Sequence, residues 1–408
     1  MTSIAEWKPT KLDQLGSVGR GKSRHRPRND AVLYGGSYPF FQTGDIKAAN
    51  FYLTDYSQTY SEAGLAQSKL WKPGTLCITI AANIAESAIL GIEACFPDSV
   101  VGFVADPDKS DVRFIKYYME ILKLRMQSVS RGTTQDNLSV DKLLSFDFLV
   151  PPLPLQQRIA GILSAYDELI ENSQRRIKIL ETMARGLYRE WFVHFRFPGF
   201  ENHPRVASAL GEIPLGWEVK QLKDVASVTY GFPFQSKRFN TEGVGVPVIR
   251  IRDILEASIN TYTDEEAQPK YHIKNGDILV GMDGDFHMCI WSTGHAYQNQ
   301  RVAKFESLGE IGNFHLFLAL ELPIQTWNKS IVGTTVAHLG DMHIKTIQLA
   351  WPPVHVLAKV RETLEPMSEQ IIALKRQIQN LRRTRDLLLP RLLSGQIAVD
   401  KMSEGIAA

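Results

Sequence analysis

The sequence predicts an α+β protein with two globular domains in tandem, separated by two long helices that form an antiparallel coiled coil. Three observations predict this fold. The 408-residue chain repeats itself at an offset of about 200 residues, each copy contains short strand-like segments, and each copy ends in a long heptad pattern. A duplication of this kind also predicts an internal pseudo-twofold relation between the copies.

The duplication is visible in short matching segments along the two copies. Trp7 opens the first copy and Trp217 opens the second, at an offset of 210 residues. The offset then shrinks to 201 residues, as between Gly132 and Gly333, and stays constant from there on. Loop lengths therefore differ in the early part of each copy, whereas the late part keeps one length.

Short apolar runs, separated by Gly, Pro and Asn, predict strands in both globules. The first globule is expected to span residues 1–150, with strands near 75–80, 100–104 and 146–150 and a helix near 112–128. The second globule is expected to span residues 217–350, with strands near 246–249, 277–280 and 347–349 and a helix near 314–328.

Long helices are predicted after a Pro-Pro pair in each copy, over residues 151–195 and 351–395. Apolar residues there follow a 4-3-4-3 spacing for about four heptads, which is typical of a coiled coil. Each apolar seam needs a partner, and the chain supplies one of equal length, so we expect antiparallel pairing. Pro366 is expected to kink or restart the second helix. Residues 196–216 are predicted to be a linker and residues 396–408 a C-terminal tail.

Composition narrows the class of protein. Lys plus Arg number 46 and Asp plus Glu 44, a net charge of +2, so a partner that carries phosphates must meet local basic clusters. Cys77, Cys95 and Cys289 form no CxxC pair, which argues against a cysteine zinc site and suits a reducing cytosol. Since no apolar run approaches the roughly 18 residues of a membrane span, we expect a cytoplasmic protein.

Residues 16–23 match the phosphate-binding pattern G-x-x-x-x-G-K-[ST] letter for letter. A working loop of this type follows a buried strand and opens a helix. The residues before the match do not read as a buried strand, and Pro27 with its basic neighbours is a poor helix start. Nucleotide binding through Lys22 is therefore kept only as an alternative hypothesis.

Basic, amide and hydroxyl side chains cluster in segments suited to nucleic acid. Five cations alternate over nine residues of the first globule, a spacing that can follow phosphates. The second globule combines aromatic and basic residues, two arginines near a strand end, and amides beside an arginine, which are groups that read adenine and guanine edges. A Gly-Thr-Thr segment recurs in both copies. The candidate DNA-binding residues are Arg20, Lys22, Arg24, Arg26, Arg28, Thr43, Arg131, Thr133, Thr134, Gln135, Tyr230, Lys237, Arg238, Arg250, Arg252, Asn299, Gln300, Arg301, Thr334 and Thr335.

The sequence lacks the spacings of common catalytic centres. The Pro-Pro pairs at 151–152 and 352–353 have neither the preceding Asn or Asp nor the following aromatic residue of an amino-methyltransferase loop. His338 and His343 are five residues apart, not the four that place two metal ligands on one helix face. We therefore expect no catalytic residue, no bound cofactor and no metal ion in this chain.

Nearly the whole chain resembles the specificity subunits of type I restriction–modification enzymes. Four segments carry the resemblance: Leu-Tyr-Arg-Glu-Trp-Phe-Val at 187–193, Phe-Pro-Gly at 197–199, Gly-Glu-Ile-Pro-Leu-Gly-Trp at 211–217, and Arg-Asp-Leu-Leu-Leu-Pro-Arg-Leu-Leu-Ser-Gly at 385–395. They lie at the helix ends and at the entry to the second globule. The globule interiors match less specifically, because in this family they vary with the DNA that is read.

The resemblance implies a division of labour. Each globule would be a target-recognition domain for one half of a bipartite double-stranded DNA sequence, and the helices would separate the globules and dock two methyltransferase subunits. Those partners would bind S-adenosylmethionine and methylate adenine N6, and separate ATP-driven restriction subunits would cut unmethylated DNA.

A second alternative to DNA reading, besides the nucleotide-binding one, is a coiled-coil scaffold whose globules bind proteins. The sequence leaves open which bases are read, how long the spacer between the half-sites is, and which polar residues meet bases rather than phosphates. It also leaves open whether the complex restricts DNA or only methylates it, and whether the two methyltransferase partners are identical.

Overall fold

In the computed structural model, the described residues are 7–130, 138–256, 259–309, 312–330, 338–397 and 399. Contacts divide the chain into two units. Unit 1 comprises residues 1–171 and 380–408, and unit 2 comprises residues 172–379. Both unit boundaries fall inside a long helix, so each unit contains part of both long helices.

Unit 1 begins with a globule of short strands and helices. In chain order its elements are β1 (Lys8–Thr10), α1 (Leu12–Leu15), β2 (Gly16–Arg20), β3 (Tyr34–Phe40), α2 (Thr43–Ala48), β4 (Tyr52–Leu53), β5 (Gln58–Tyr60), α3 (Glu62–Ala66), β6 (Leu70–Trp71), β7 (Leu76–Thr79), β8 (Ser87–Leu90), β9 (Ala94–Cys95), β10 (Val100–Ala105), α4 (Val112–Ser130), α5 (Val140–Ser145) and β11 (Phe148–Val150).

Two sheets and one strand pair build this globule. The strand orders are β2-β10-β7-β8-β4 and β5-β3-β9-β6, and β1 pairs with β11. Strands β7 and β8 are buried along their whole length, as expected of short apolar runs in the middle of a sheet. Their side chains share a core with helix α4, where Leu76 and Phe114 are fully buried.

Unit 2 contains a second globule of the same kind. In chain order its elements are β12 (Arg205–Ser208), β13 (Gly211–Pro214), β14 (Glu218–Gln221), α7 (Leu222–Val225), β15 (Ala226–Tyr230), β16 (Phe239–Asn240), β17 (Val246–Ile249), α8 (Ile251–Glu256), β18 (Tyr262–Thr263), β19 (His272–Ile273), β20 (Ile278–Gly281), β21 (Met288–Ile290), β22 (Ala296–Gln298), β23 (Val302–Ser307), α9 (Asn313–Ser330), α10 (Asp341–Lys345) and β24 (Gln348–Trp351).

The sheets of unit 2 repeat the pairings of unit 1. The order β15-β23-β20-β21 answers to β2-β10-β7-β8, and the pair β14-β24 answers to β1-β11. One parallel pair occurs at the matching place in both units, β3 with β9 and β17 with β22, and unit 1 has a further parallel pair, β4 with β8. The tandem α+β duplication that the sequence predicts is therefore present. The predicted strands and the two globule helices, now α4 and α9, are confirmed.

Two long helices, α6 (Leu153–Tyr188) and α11 (Val354–Leu393), follow β11 and β24. A one-turn π-helix at Arg189–Val193 continues α6. Helix α11 runs through Pro366 without restarting, so the expected restart is wrong, and the alternative expectation of a kink stays a prediction. The proline lacks one backbone donor, but its neighbour Leu364 is buried in the core of unit 2, and this packing keeps the turn helical.

Both units bring a part of α6 together with a part of α11. In unit 1 the early residues of α6, such as Leu163, share a core with Leu392 from the end of α11. In unit 2 the late residue Ala184 of α6 shares a core with Val360 from the start of α11. This order agrees with antiparallel pairing. A continuous coiled coil along both helices stays a prediction.

Candidate nucleic-acid interface

A cleft of about 590 Å³ opens at one end of the sheets of unit 2. Its walls come from the end of β17 with the start of α8, from the turn between β22 and β23, and from the loop between β20 and β21. The lining residues are Arg250, Ile251, Arg252, Leu255, Asp283, Asp285, His287, Asn299, Gln300 and Arg301.

Parallel pairing explains why distant segments meet in this cleft. Strands β17 and β22 run parallel, so their carboxyl ends lie at the same edge of the sheet. Arg250 follows β17 directly, and Asn299 follows β22. The Arg250 N–H donates to Asp253 Oδ2 at 2.8 Å, which caps α8 and fixes the chain direction at the cleft. Five residues predicted from two separate segments are thereby brought together.

Arg301 lines the cleft and is held by Asp283, which in turn contacts His338. Its Nε lies 3.3 Å from Asp283 Oδ2, and the other carboxylate oxygen, Oδ1, lies 2.6 Å from His338 Nδ1. The backbone contributes as well, because Met282 N–H donates to the Arg301 carbonyl oxygen at 3.0 Å. Arg301 is therefore attached to the loop after β20 through both its side chain and its main chain.

Arg252 lies on the first turn of α8 and is the more exposed of the two arginines on this wall. Its Nη2 donates to Thr261 Oγ1 at 3.3 Å, and its Nε lies 3.7 Å from Asp253 Oδ1. The side chain is 61% exposed. It is therefore accessible to a ligand in the cleft.

The other candidates of unit 2 are not among the lining residues of the cleft. Tyr230 ends β15, and its hydroxyl donates to Asp341 Oδ1 at 2.9 Å. Burial, together with this hydrogen bond, raises the pKa of Tyr230 above its usual range. Arg238 pairs with Asp264 at 2.9 Å, and its neighbour Lys237 is exposed.

The basic segment of unit 1 presents all five of its cations to solvent. Arg20, Lys22, Arg24, Arg26 and Arg28 are exposed, whereas Ser23 is buried and His25 is half-buried. Exposed cations therefore alternate with inward residues only as far as His25, and residues 26–29 are all exposed.

The backbone and two arginines of this segment are tied to the globule. Arg24 N–H and His25 N–H both donate to Gln67 Oε1, at 2.6 and 3.1 Å. Arg28 Nη2 pairs with Asp98 Oδ1 at 2.8 Å. Arg20 Nε donates to the Asp98 carbonyl oxygen. The segment is therefore an anchored row of cations.

The apparent phosphate-binding motif has another cause. Gly16–Arg20 form β2 and pair antiparallel with β10, so these residues are a sheet strand and not a loop. A β-carbon on Gly21 would collide with the carbonyl oxygens of Phe96 and Pro97, so close packing requires glycine there. Nucleotide binding needs a loop that surrounds the phosphates and a helix that begins directly after it, and residues 16–30 form neither. The nucleotide-binding hypothesis therefore loses its geometric basis.

Several candidates lie outside the described residues: Arg131, Thr133, Thr134, Gln135, Thr334 and Thr335. Their contact with DNA stays a prediction. The backbone just after these segments makes an equivalent hydrogen bond in each unit. Leu138 N–H donates to the Ile80 carbonyl oxygen at 2.9 Å, and Leu339 N–H donates to the Met282 carbonyl oxygen at 2.7 Å.

Sequence reasoning missed Gln42, the residue directly before the candidate Thr43. Thr43 begins α2 and is half-buried, whereas Gln42 is exposed and takes the place that Arg250 has in unit 2. The Gln42 N–H donates to Asp45 Oδ2 at 2.7 Å, the same cap that Arg250 makes. The matching Asp-Ile pairs at 45–46 and 253–254 were the available signal.

The acidic and histidine side chains of the cleft were missed as well. Asp283, Asp285 and His287 of the lining, and His338 behind Asp283, were not among the DNA-binding candidates, because carboxylates do not suggest a phosphate partner. The closely spaced Asp-Gly-Asp-Phe-His run after β20 was a signal in the sequence. Its meaning depends on Arg301, which only the fold brings beside it.

Comparisons with known proteins agree over most of the chain. A sequence model described as the type I restriction modification DNA specificity domain matches residues 4–182 and again 214–382. The MjaIX specificity subunit of Methanocaldococcus jannaschii is 24% identical, over 97% of this chain and 95% of its own length. The EcoBI specificity subunit of Escherichia coli is 32% identical, over 44% of this chain and 39% of its own length.

Structural similarity covers the chain equally well. The crystal structure of a type I restriction–modification S subunit from M. genitalium has a TM-score of 0.63 at 15% identity, covering 95% of this chain and 96% of that one. Among the described residues, no helix has the length and apolar character to span a membrane. Since the family model matches both copies and most of the sequence, this chain belongs to the type I restriction–modification DNA specificity family.

Proposed function

We propose that this chain reads a bipartite DNA sequence for a type I restriction–modification complex, with one globule for each half-site. The duplication carries this proposal, because each unit repeats the same sheet pairings but presents different polar residues. The half-sites should therefore differ in sequence. Two readers joined in one chain recognise two half-sites at a fixed separation, as dimeric DNA-binding proteins do.

The two units support different kinds of contact. The exposed cations of unit 1 form a row that suits phosphates, which set affinity and register. The cleft of unit 2 combines arginines, amides and carboxylates, a mixture that suits base edges better than a uniformly negative backbone. We infer that unit 2 reads bases from this cleft.

The long helices offer apolar surface for partner subunits. Ile179 and Met183 lie one turn apart on α6 and are 58% and 52% exposed. We propose that such positions dock methyltransferase subunits, which bind S-adenosylmethionine and methylate adenine N6, and that ATP-driven restriction subunits join the same complex. In this arrangement the chain itself is not catalytic and works in the cytoplasm.

Replacing Lys22 and Arg24 with alanine together is expected to make DNA affinity less dependent on salt. Each phosphate contact that is lost should lower the slope of log K against log salt by roughly 0.9. The measurement is DNA binding by the assembled complex at several salt concentrations. Lys72→Ala removes another exposed cation of unit 1 and serves as the control. A slope that equals the control's would remove the segment from the DNA interface.

A further inference from the structure

We propose that Arg301 reads a guanine of one half-site and that Asp283 is the positioning residue that aims it. The inference rests on the proposed function and adds a base identity, a residue and a half-site to it. It is drawn from three observations on the cleft of unit 2: how Arg301 is held, what surrounds it, and what stands at the same place in unit 1.

The first observation is the way in which Asp283 is used. Both of its carboxylate oxygens are engaged, Oδ2 by Arg301 Nε at 3.3 Å and Oδ1 by His338 Nδ1 at 2.6 Å. Asp283 is 26% exposed, whereas Arg301 is 55% exposed. Asp283 is therefore committed to its neighbours, and the more accessible group of the pair is the arginine.

The second step concerns the donors that remain on Arg301. An arginine held through Nε keeps its two terminal amino groups as a planar pair of donors. Guanine presents two acceptors, O6 and N7, side by side on its major-groove edge, and this pair matches the fork of an arginine. Fixing the guanidinium before binding reduces the side-chain entropy that the contact would otherwise lose.

The carboxylates favour a base over a phosphate as the ligand of Arg301. Asp283 and Asp285 both line the cleft, and their repulsion of a phosphate would offset much of the attraction from the three arginines there. A guanine edge is neutral and does not meet this repulsion. Asn299 and Gln300 beside Arg301 supply further donors and acceptors of the kind that contact bases.

The matching turn of unit 1 has a different chemistry. There β9 and β10 are joined by residues 96–99, Phe-Pro-Asp-Ser, whereas β22 and β23 are joined by residues 299–301, Asn-Gln-Arg. Asp98 pairs with Arg28 from the basic segment. Because this turn has no arginine, replacing Arg301 should affect only the half-site that unit 2 reads.

The test is the methylated sequence produced in cells by the complete complex carrying Arg301→Ala, Arg301→Lys or Asp283→Asn. We expect all three variants to relax the same single guanine position. For Arg301→Ala the preference for guanine should fall by about 10-fold or more, and the lysine, which keeps the charge but not the fork, should not restore it. Asp283→Asn tests positioning, since a merely structural defect would lower methylation at all sites alike.

Arg196→Ala is the matched control, because Arg196 also pairs through Nε with a carboxylate, Glu190 at 2.7 Å, but away from the cleft. It should leave every position of the methylated sequence unchanged. An unchanged guanine position in Arg301→Ala, a half-site without guanine, or a uniform loss in both Arg301 variants would overturn the inference. The proposed function would survive each of these results, since it fails only if the unaltered protein directs no bipartite methylation.

Discussion

Replacing Asp167 with alanine is expected to destabilise unit 1 by about 3 kcal/mol, the magnitude typical of breaking a buried ion pair. Asp167 on α6 is only 9% exposed and has two partners from other helices. Tyr117 of α4 donates its hydroxyl to Oδ2, and Arg385 of α11 donates Nη1 to Oδ1. Alanine would leave a buried hydroxyl and a largely buried guanidinium without their common acceptor.

The duplicated half of the chain supplies the control for this network. An offset of 201 residues also relates the starts of α4 and α9, so Tyr117 and Asp167 correspond to Leu318 and Ser368 of unit 2, and Arg385 corresponds to Ala184. These three counterparts are all buried and carry no charge. The ion pair is therefore a feature of unit 1 alone, and Ser368→Ala should change the stability of unit 2 by less than about 1 kcal/mol.

Hydrogen exchange resolved by peptide is the suitable measurement, because two units in one chain need not unfold together. Asp167→Ala should speed exchange in α4 and in the early part of α6, and Arg385→Ala should give a similar effect. The double variant should cost much less than the sum of the two, since both remove the same contact. Additive effects, or unchanged exchange in unit 1, would show that the network contributes little.

Replacing His315 with phenylalanine is expected to make unit 2 much more resistant to acid. His315 on α9 is 2% exposed and lies among the rings of Tyr188, Phe192 and Trp351. Burial among these groups lowers the pKa of His315 to about 3. The counterpart at the same offset in unit 1 is Phe114, which is fully buried, so this fold accommodates phenylalanine at the position.

The direction of the pH effect follows from the two states of His315. In the unfolded chain a histidine titrates near 6.5, whereas in folded unit 2 it stays neutral down to about pH 3. Above pH 6.5 His315 is neutral in both states, so its burial does not make stability depend on pH. Below pH 6.5 the unfolded chain binds a proton at this histidine and the folded unit does not. The free energy of unfolding of unit 2 therefore falls by roughly 1 kcal/mol per pH unit.

The measurement compares unfolding of unit 2 at pH 7 and pH 5 in the unaltered protein and in His315→Phe. We expect the two proteins to diverge as the pH falls, with the variant more stable at pH 5. His355→Gln, which replaces an exposed histidine of α11, should behave like the unaltered protein. Parallel pH profiles for the unaltered protein and His315→Phe would contradict the assignment.

The architecture could be predicted because it depends on patterns that are local or repeated. Apolar runs located β7, β10, β17 and β20, though not the buried β8, and heptads located both long helices. The offset of 201 residues also located equivalent segments, such as the Gly-Thr-Thr runs at 132–134 and 333–335, without any structure. The helix restart expected at Pro366 was wrong, because a local helix penalty was outweighed by the burial of its neighbours.

The composition of the cleft could not be predicted in the same way. Arg250 and Arg301 were predicted from their chemistry, but their proximity comes from the parallel pairing of β17 with β22. Asp283 and His338 are separated by 55 residues, and neither suggests DNA contact until Arg301 lies beside them. Arg385 is a similar case, since it occupies an apolar heptad position whose charged partner lies 218 residues away.

The central claim, that this chain selects the DNA sequence methylated by its complex, is tested most directly by a genome-wide map of N6-methyladenine. The map compares cells with the gene intact and deleted, with the partner subunits expressed in both. We predict that one bipartite motif, two different short half-sites around a fixed unspecified gap, loses its methylation when the gene is absent. An unchanged set of methylated motifs would contradict DNA reading by this chain and favour a scaffold that binds proteins.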